Sequence, residues 1–211
     1  VAQKRNIDLP TDHPFDYQLA MQRLAGFDAP RNKLAALSRS GEIVRVKKGL
    51  YVARGAAVDR RVLAGLIYGP SYVSLEAALS HHGLIPERVD EVTCISTKRP
   101  RLFETPMGRF SYRAVTPRVF LVGVVLVEAQ GGSYLLASAE KALCDRVALV
   151  RKLRAQRDVS SLLADELRID VESLAEFDVA LVQEIARRYR RASVTALAGW
   201  LAKRKGDLIG S

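Results

Sequence analysis

Cysteine is nearly missing from this chain, with two in 211 residues, Cys94 and Cys144, each among apolar neighbours. That leaves no disulfide framework to build on, and both are expected as buried thiols of a reducing cytoplasm. No run of about 18 apolar residues is present to span a membrane, and the N-terminus carries no hydrophobic signal core. A soluble, cytoplasmic protein with no membrane partner is the expectation. Histidine is also scarce, at three residues. Two of them, His81 and His82, are adjacent on a predicted helix, where neighbouring side chains point about 100° apart and cannot close on one ion. His82 is expected to pack with its imidazole hydrogen-bonded, and His81 to be exposed. There is no glycine-rich phosphate loop, no nucleophile elbow and no zinc-type Cys/His spacing, so no catalytic residue, metal or cofactor is expected.

What the chain does have is apolar content of 48%, enough for one large or two modest cores, and a net charge of +10. The charge is uneven. Residues 1–58 carry +5 (10 basic, 5 acidic), residues 59–150 carry +2 (11 and 9), and residues 151–211 carry +3 (12 and 9). The first segment is densest in net positive charge per residue.

That density has a local pattern. Pro30 suits a first helical turn, Leu34, Ala36 and Leu37 give an apolar side, and Gly41 ends the run. The period then switches to two, with Ile43, Arg45 and Lys47 on one side of a strand and Val44, Val46 and Lys48 on the other. Lys47-Lys48-Gly49 then turns the chain into Leu50-Tyr51-Val52. Between 31 and 54 seven basic residues (Arg31, Lys33, Arg39, Arg45, Lys47, Lys48, Arg54) face one acid, Glu42. A short helix joined to a second helix and followed by a basic hairpin is how a winged helix-turn-helix is written, and double-stranded DNA is the partner such a charge pattern suggests. Arg31, Asn32 and Lys33 lie in the first turn, the part of a recognition helix that meets base edges, and are the candidate base readers. Arg39, Arg45, Lys47 and Lys48 are the remaining candidates, with the hairpin cations assigned to phosphates.

Elsewhere, residues 1–14 are broken by Pro10 and Pro14 and read as a loose leader. A first helix is predicted from Phe15-Asp16 to Ala25, with Leu19, Ala20 and Leu24 inward and Gly26 closing it. Asp59 can cap a helix bearing Val62, Leu63, Leu66 and Ile67, and Ser74 can cap another that stops at Gly83. Strands are predicted over 92–97, 109–113, 122–127 and 133–136, with Gly131-Gly132 as a hairpin turn. Ser138 caps a helix in which Ala139, Leu143, Val147, Val150 and Leu153 recur, with Lys141 and Asp145 paired at i,i+4 on its outside. Further helices are predicted over 160–167, 171–177, 179–189 and 194–203.

Three local features compete for a functional role. Glu140-Lys141 invites a metal-dependent nuclease reading, but adjacent helical residues are poorly placed for it, and Asp90 and Glu91 would have to lie nearby. Ser138 and Glu140 stabilising a helix start is the simpler account. Arg187-Arg188 and Arg190-Arg191 fall at a helix end whose dipole favours cations, with a second DNA contact as the alternative. Trp200, beside Leu197 and Leu201, reads as a core anchor.

The pieces together resemble a known family. Pro30-Arg31, Leu34, Leu37, Gly41-Glu42, Arg45 and Lys48-Gly49-Leu50-Tyr51-Val52 resemble the winged-helix domain of AbiEi-type antitoxins. Tyr72-Val73-Ser74-Leu75-Glu76-Ala77-Ala78-Leu79 with Gly83-Leu84-Ile85-Pro86, then Thr105-Pro106-Met107-Gly108-Arg109-Phe110-Ser111-Tyr112, then Ala137-Ser138-Ala139-Glu140-Lys141-Ala142-Leu143-Cys144-Asp145 resemble the same family in the same order. The resemblance spans about residues 15–203. It implies a bacterial transcriptional repressor that binds promoter repeats and serves as the antitoxin of a type IV toxin–antitoxin pair. The C-terminal part would counter a nucleotidyltransferase toxin without needing to touch it, and relatives include stand-alone regulators. The expected architecture is α+β, a winged helix-turn-helix over 1–58 followed over 59–211 by a larger mixed domain with a small sheet and flanking helices.

Overall fold

A computed structural model describes residues 7–151, 153 and 155–209. The chain opens with β1 (Phe15–Asp16), α1 (Tyr17–Arg23), α2 (Pro30–Arg39), β2 (Ile43–Lys47) and β3 (Leu50–Ala53), the strands forming an antiparallel sheet in the order β1-β3-β2. Phe15 and Asp16 are therefore strand rather than helix. Asp16 ends the strand and caps α1, its Oδ1 accepting from the Leu19 N–H at 2.8 Å. Pro30 stands in the first turn of α2 and Gly41, at φ +74°, turns the chain out of it. Phe15, Ala20, Leu24, Leu34, Leu37, Ile43 and Tyr51 make a small core. The leader's first six residues lie outside the described ones, but Ile7 and Leu9 pack on this core and Asp8 pairs with Arg23, so the remainder is tied down rather than loose.

The hairpin departs from simple alternation. Arg45 faces Tyr51 across the sheet, yet the next paired residue, Lys47, faces Leu50, which makes Val46 an extra residue in a bulge. One inserted residue moves every later side chain to the opposite face. Lys47 thus joins the side of Val44 and Val46 instead of that of Ile43 and Arg45. On that side Val46, Leu50 and Val52 are buried in a second, larger core, to which most of the chain contributes.

That core surrounds a six-stranded sheet in the order β6-β7-β5-β4-β9-β8, built from β4 (Ser71–Val73), β5 (Val92–Ser96), β6 (Arg101–Thr105), β7 (Gly108–Ala114), β8 (Val124–Ala129) and β9 (Gly132–Ala137). The pairs β4/β9 and β5/β7 are parallel and the other three antiparallel. The sheet is larger than expected because β4 and β6 were not foreseen. Strand β4 has only three residues between Gly69-Pro70 and a helix, and β6 is an edge strand whose side chains stay largely exposed. Helices α3 (Arg60–Ile67), capped by Asp59, and α4 (Leu75–His81) lie beside the central strands. After β9 come α5 (Ala139–Ala148), α6 (Val159–Ser161) leading into a wide π-turn, α7 (Val179–Tyr189) and α8 (Ala192–Ile209). The fold is thus mixed α+β. Helix α5 stops at Ala148, short of Val150 and Leu153, and the Val150 N–H donates to the Val147 carbonyl in a closing turn.

The main correction concerns Lys141 and Asp145. They form the expected i,i+4 pair, Nζ to Oδ1 at 2.8 Å, but both side chains are 0% exposed. Helix α5 is covered by α4, α7 and α8, so Lys141 and Asp145 have nowhere wet to go. Three hydroxyls complete the site around Asp145. Tyr72 and Ser74 donate to Oδ2 at 2.9 and 2.7 Å, and Tyr189 donates to Oδ1 at 2.5 Å. Burial, followed by the Asp145 charge, pushes both tyrosine hydroxyls far above their usual range, so they remain donors. The Lys141 ammonium lies 4.9 Å from the Tyr189 ring centre and 5.5 Å from that of Tyr72, a geometry for cation–π attraction. Because its hydroxyl serves Asp145, Ser74 does not cap α4 with its side chain. Thr93 of β5 takes over, accepting from the Ala77 N–H at 2.9 Å and donating to the Ser74 carbonyl at 2.6 Å.

The site is unequal in its dependence on the two charges. Asp145→Ala leaves a buried ammonium without its counter-ion and three hydroxyls without their acceptor, and is expected to cost about 3–5 kcal/mol. Lys141→Met keeps the volume and leaves the carboxylate its three donors, so its cost is expected to be clearly smaller. Urea unfolding of both variants followed by circular dichroism checks this, and equal losses would contradict the asymmetry.

Candidate nucleic-acid interface

The N-terminal cations separate into two groups when placed on the fold. Helix α2 begins after Ala29, which offers no side-chain cap, and its first turn has no acidic residue. The positive end of the helix dipole therefore has Arg31 and Lys33 beside it and no carboxylate of its own. Arg31 and Asn32 are exposed and, with Tyr17, Met21 and Ala25, line a groove of about 620 Å³ between α1 and α2. Lys33 is half-buried, its ammonium 5.4 Å from the Phe27 ring centre. Arg39 is exposed in the last turn of α2.

The second group lies on the hairpin. Arg45 and Lys48 are exposed. Lys47 is not a free phosphate ligand, because the bulge turns its Nζ onto the Ile67 carbonyl at the end of α3, at 2.5 Å. Burial, and then the charge of nearby Lys98, hold Lys47 below the usual lysine range. Among the described residues none of Arg31, Lys33, Arg39, Arg45, Lys47 and Lys48 pairs with a carboxylate. The neighbouring acid, Glu42, instead accepts from the Ser40 hydroxyl at 2.8 Å. The exposed members Arg31, Arg39, Arg45 and Lys48, which meet no carboxylate among the described residues, make a surface suited to a polyanion. Residue-by-residue reading missed Lys98, which no linear pattern connects to the hairpin.

The other polar candidates have local tasks. Ser138 caps α5 through the Lys141 N–H, while Glu140 accepts from the Ser138 hydroxyl with one oxygen and from the Asp178 N–H with the other. Glu91 lies by Arg109 at 3.9 Å. No cluster of three or more metal-binding side chains occurs among the described residues. The ring Nδ1 of His81 lies 2.7 Å from Arg61, and burial, Arg61 and His82 depress its basicity. His82 is bonded through Nε2 to the Ala137 carbonyl at 2.8 Å, as expected, but its side chain is exposed rather than packed. Of the arginines at the end of α7, Arg188 pairs with Glu184 at 2.7 Å and Arg191 donates to the Ala148 carbonyl at 2.9 Å. Trp200 is half-buried next to buried Leu197 and Leu201, with its indole N–H on the Ser160 hydroxyl at 3.0 Å. Both cysteines are buried and their thiols pushed upward by that burial. No described helix is long and apolar enough to cross a membrane.

No protein-family model matches the chain, and no curated protein matches it. Among solved structures, the crystal structure of the RV2827C protein from Mycobacterium tuberculosis is similar at 16% sequence identity and a TM-score of 0.47. The match covers 93% of this chain and 77% of that one.

The two hairpin lysines should be separable by stability. Lys47→Ala removes a charged donor from a helix-end carbonyl and is expected to cost about 1.5–3 kcal/mol before discounting for its partial exposure, leaving roughly 1 kcal/mol. Lys48→Ala should fall within about 0.5 kcal/mol of the parent, as surface changes do. Thermal and urea unfolding of the two variants are the check, and indistinguishable stabilities would mean that Lys47 is as free as Lys48.

Proposed function

We propose that the chain is a sequence-specific, double-stranded-DNA-binding transcriptional repressor, and the antitoxin of a type IV toxin–antitoxin pair that counters a nucleotidyltransferase toxin. Residues 15–53 act as a winged helix-turn-helix, with α2 as recognition helix and the β2–β3 hairpin as wing. The observation that carries this reading is the strand–helix–helix–hairpin order combined with cations that have no carboxylate partners among the described residues. Arg31 and Asn32, exposed at the start of α2, can pair bidentately with guanine and adenine edges, whereas Arg39, Arg45 and Lys48 suit phosphates. Lys33 sits between these roles, its stem held against Phe27. The protein works by occupying DNA and not by catalysis. Residues 59–211 provide the antitoxic part, without direct toxin contact being required.

Two measurements bear on the two halves of this proposal. In gel-shift titrations on its own promoter, contact with about four to six phosphates gives a log–log salt slope of about −4 to −5. Arg31→Ala and Asn32→Ala are each expected to cost about 1–3 kcal/mol on the promoter and much less on random duplex, while Lys48→Ala weakens both alike. Equal affinity of the parent for promoter and random DNA would remove the repressor reading.

For the antitoxic half, the full-length Arg31→Ala/Asn32→Ala protein is expressed from an unrelated promoter together with the toxin encoded beside it. It should rescue growth as the parent does at matched soluble levels. Loss of rescue in this variant would place antitoxicity in the DNA-binding segment. Glu140→Ala should alter rescue only as far as it lowers the soluble level, since both Glu140 oxygens serve local backbone and hydroxyl groups.

A further inference from the structure

The end of α3 gathers cations from two distant parts of the chain. Lys47 of the hairpin bonds the Ile67 carbonyl, and Lys98, from the loop between β5 and β6, bonds the Gly69 carbonyl two residues on. Between them Tyr68 presents its ring to Lys98, whose Nζ is 5.2 Å from the ring centre, and to Arg101, whose guanidinium carbon is 5.9 Å away. Arg101 also lies 5.9 Å from the centre of Phe103. The Tyr68 hydroxyl donates to the Arg99 carbonyl at 3.2 Å, fixing the loop. Lys98, Arg99 and Arg101 are exposed, and no acid occurs between Thr93 and Phe103.

Helix-end carbonyls explain why one lysine is held here. They do not explain a second ammonium beside the first with two arginines following and no carboxylate in between, since like charges brought together repel. An anion lying across the cluster would relieve that repulsion. The patch begins at the hairpin already read as a phosphate-binding wing, and aromatic rings pre-order its guanidinium and ammonium groups, which lowers the entropy lost on binding.

We infer that Lys98 and Arg101, held on Tyr68 and Phe103, form with exposed Arg99 between them a phosphate-contacting extension of the wing, so that the DNA backbone runs from Lys48 past the end of α3 onto the β5–β6 loop. This rests on the DNA-binding reading above and adds to it that the larger unit itself touches the duplex. The contacts are to backbone phosphate and carry no base preference.

The test uses the full chain, a fluorescent duplex spanning its own promoter and a scrambled duplex of equal composition, with anisotropy titrations over a range of salt. Arg99→Ala/Arg101→Gln is the principal variant, because neither side chain bonds the backbone, and Lys98→Gln is the second. Unfolding midpoints are measured alongside. Losing two phosphate contacts should reduce the magnitude of the salt slope by about 2 in the double variant and by about 1 in Lys98→Gln. Affinity for promoter and scrambled duplex should fall by the same factor, with the Arg99→Ala/Arg101→Gln midpoint unchanged. A double variant with the parent's slope and affinity overturns the extension while leaving the DNA reading intact. A parent that binds neither duplex overturns both, and a variant that loses preference for the promoter over the scrambled duplex overturns the assignment of these residues to phosphate.

Discussion

The Asp145 carboxylate is the point on which the larger unit depends. It sits on α5 but accepts from Tyr72 and Ser74 around β4 and from Tyr189 at the end of α7, so one buried group fixes a helix, a strand and a second helix relative to one another. Lys141 supplies the counter-charge one turn earlier on the same helix. A carboxylate out of water is costly unless its lone pairs are filled, and a counter-charge lowers that cost further. Both are supplied here, and the three donors tie three elements to one carboxylate. The effect spreads outward. Because Ser74 is occupied, the start of α4 is served by Thr93, and Leu75 enters the helix at φ +56°, a conformation that a leucine holds only when its surroundings fix it.

The same arrangement bears on the reading of Glu140-Lys141. In the sequence these residues look like an acid and a lysine available to a substrate. In the fold the lysine is sealed against two tyrosine rings and the acid is tied to a cap and to the start of the segment leading into α7. Their chemistry is consumed in holding the molecule together, which leaves neither of them open to a substrate.

Much of this was legible in the sequence wherever the signal was local. Pro30 and Gly41 bound α2, and Asp59 and Ser138 cap α3 and α5 as expected, while the turn expected at Gly131-Gly132 falls one residue earlier, at Gln130-Gly131, with Gly132 opening β9. Arg31 and Asn32 stand exposed in the first turn of α2 that Pro30 opens. What sequence could not give was set by distant residues. A period of 3.6 says that Lys141 and Asp145 share a face but not whether that face is wet, which depends on helices α7 and α8 closing over it. The bulge at Val46 is one residue in a run that alternates plausibly without it, yet it sends Lys47 to the other side. Strands β4 and β6 were invisible for opposite reasons, the first too short to show a period and the second too polar to look buried.

The hairpin has a consequence for how the chain can be divided. Its one face supplies Ile43 and Tyr51 to the small core, and its other supplies Val46, Leu50 and Val52 to the large one. Each of these last three side chains gains on the order of 1.5–3 kcal/mol from its burial, a sum comparable with the entire stability of a small domain. The N-terminal segment is therefore not a detachable module. Severed after Val58 it would present a wet apolar strand face where the larger unit had been, and its fold draws on a part of the molecule that lies beyond its own boundary.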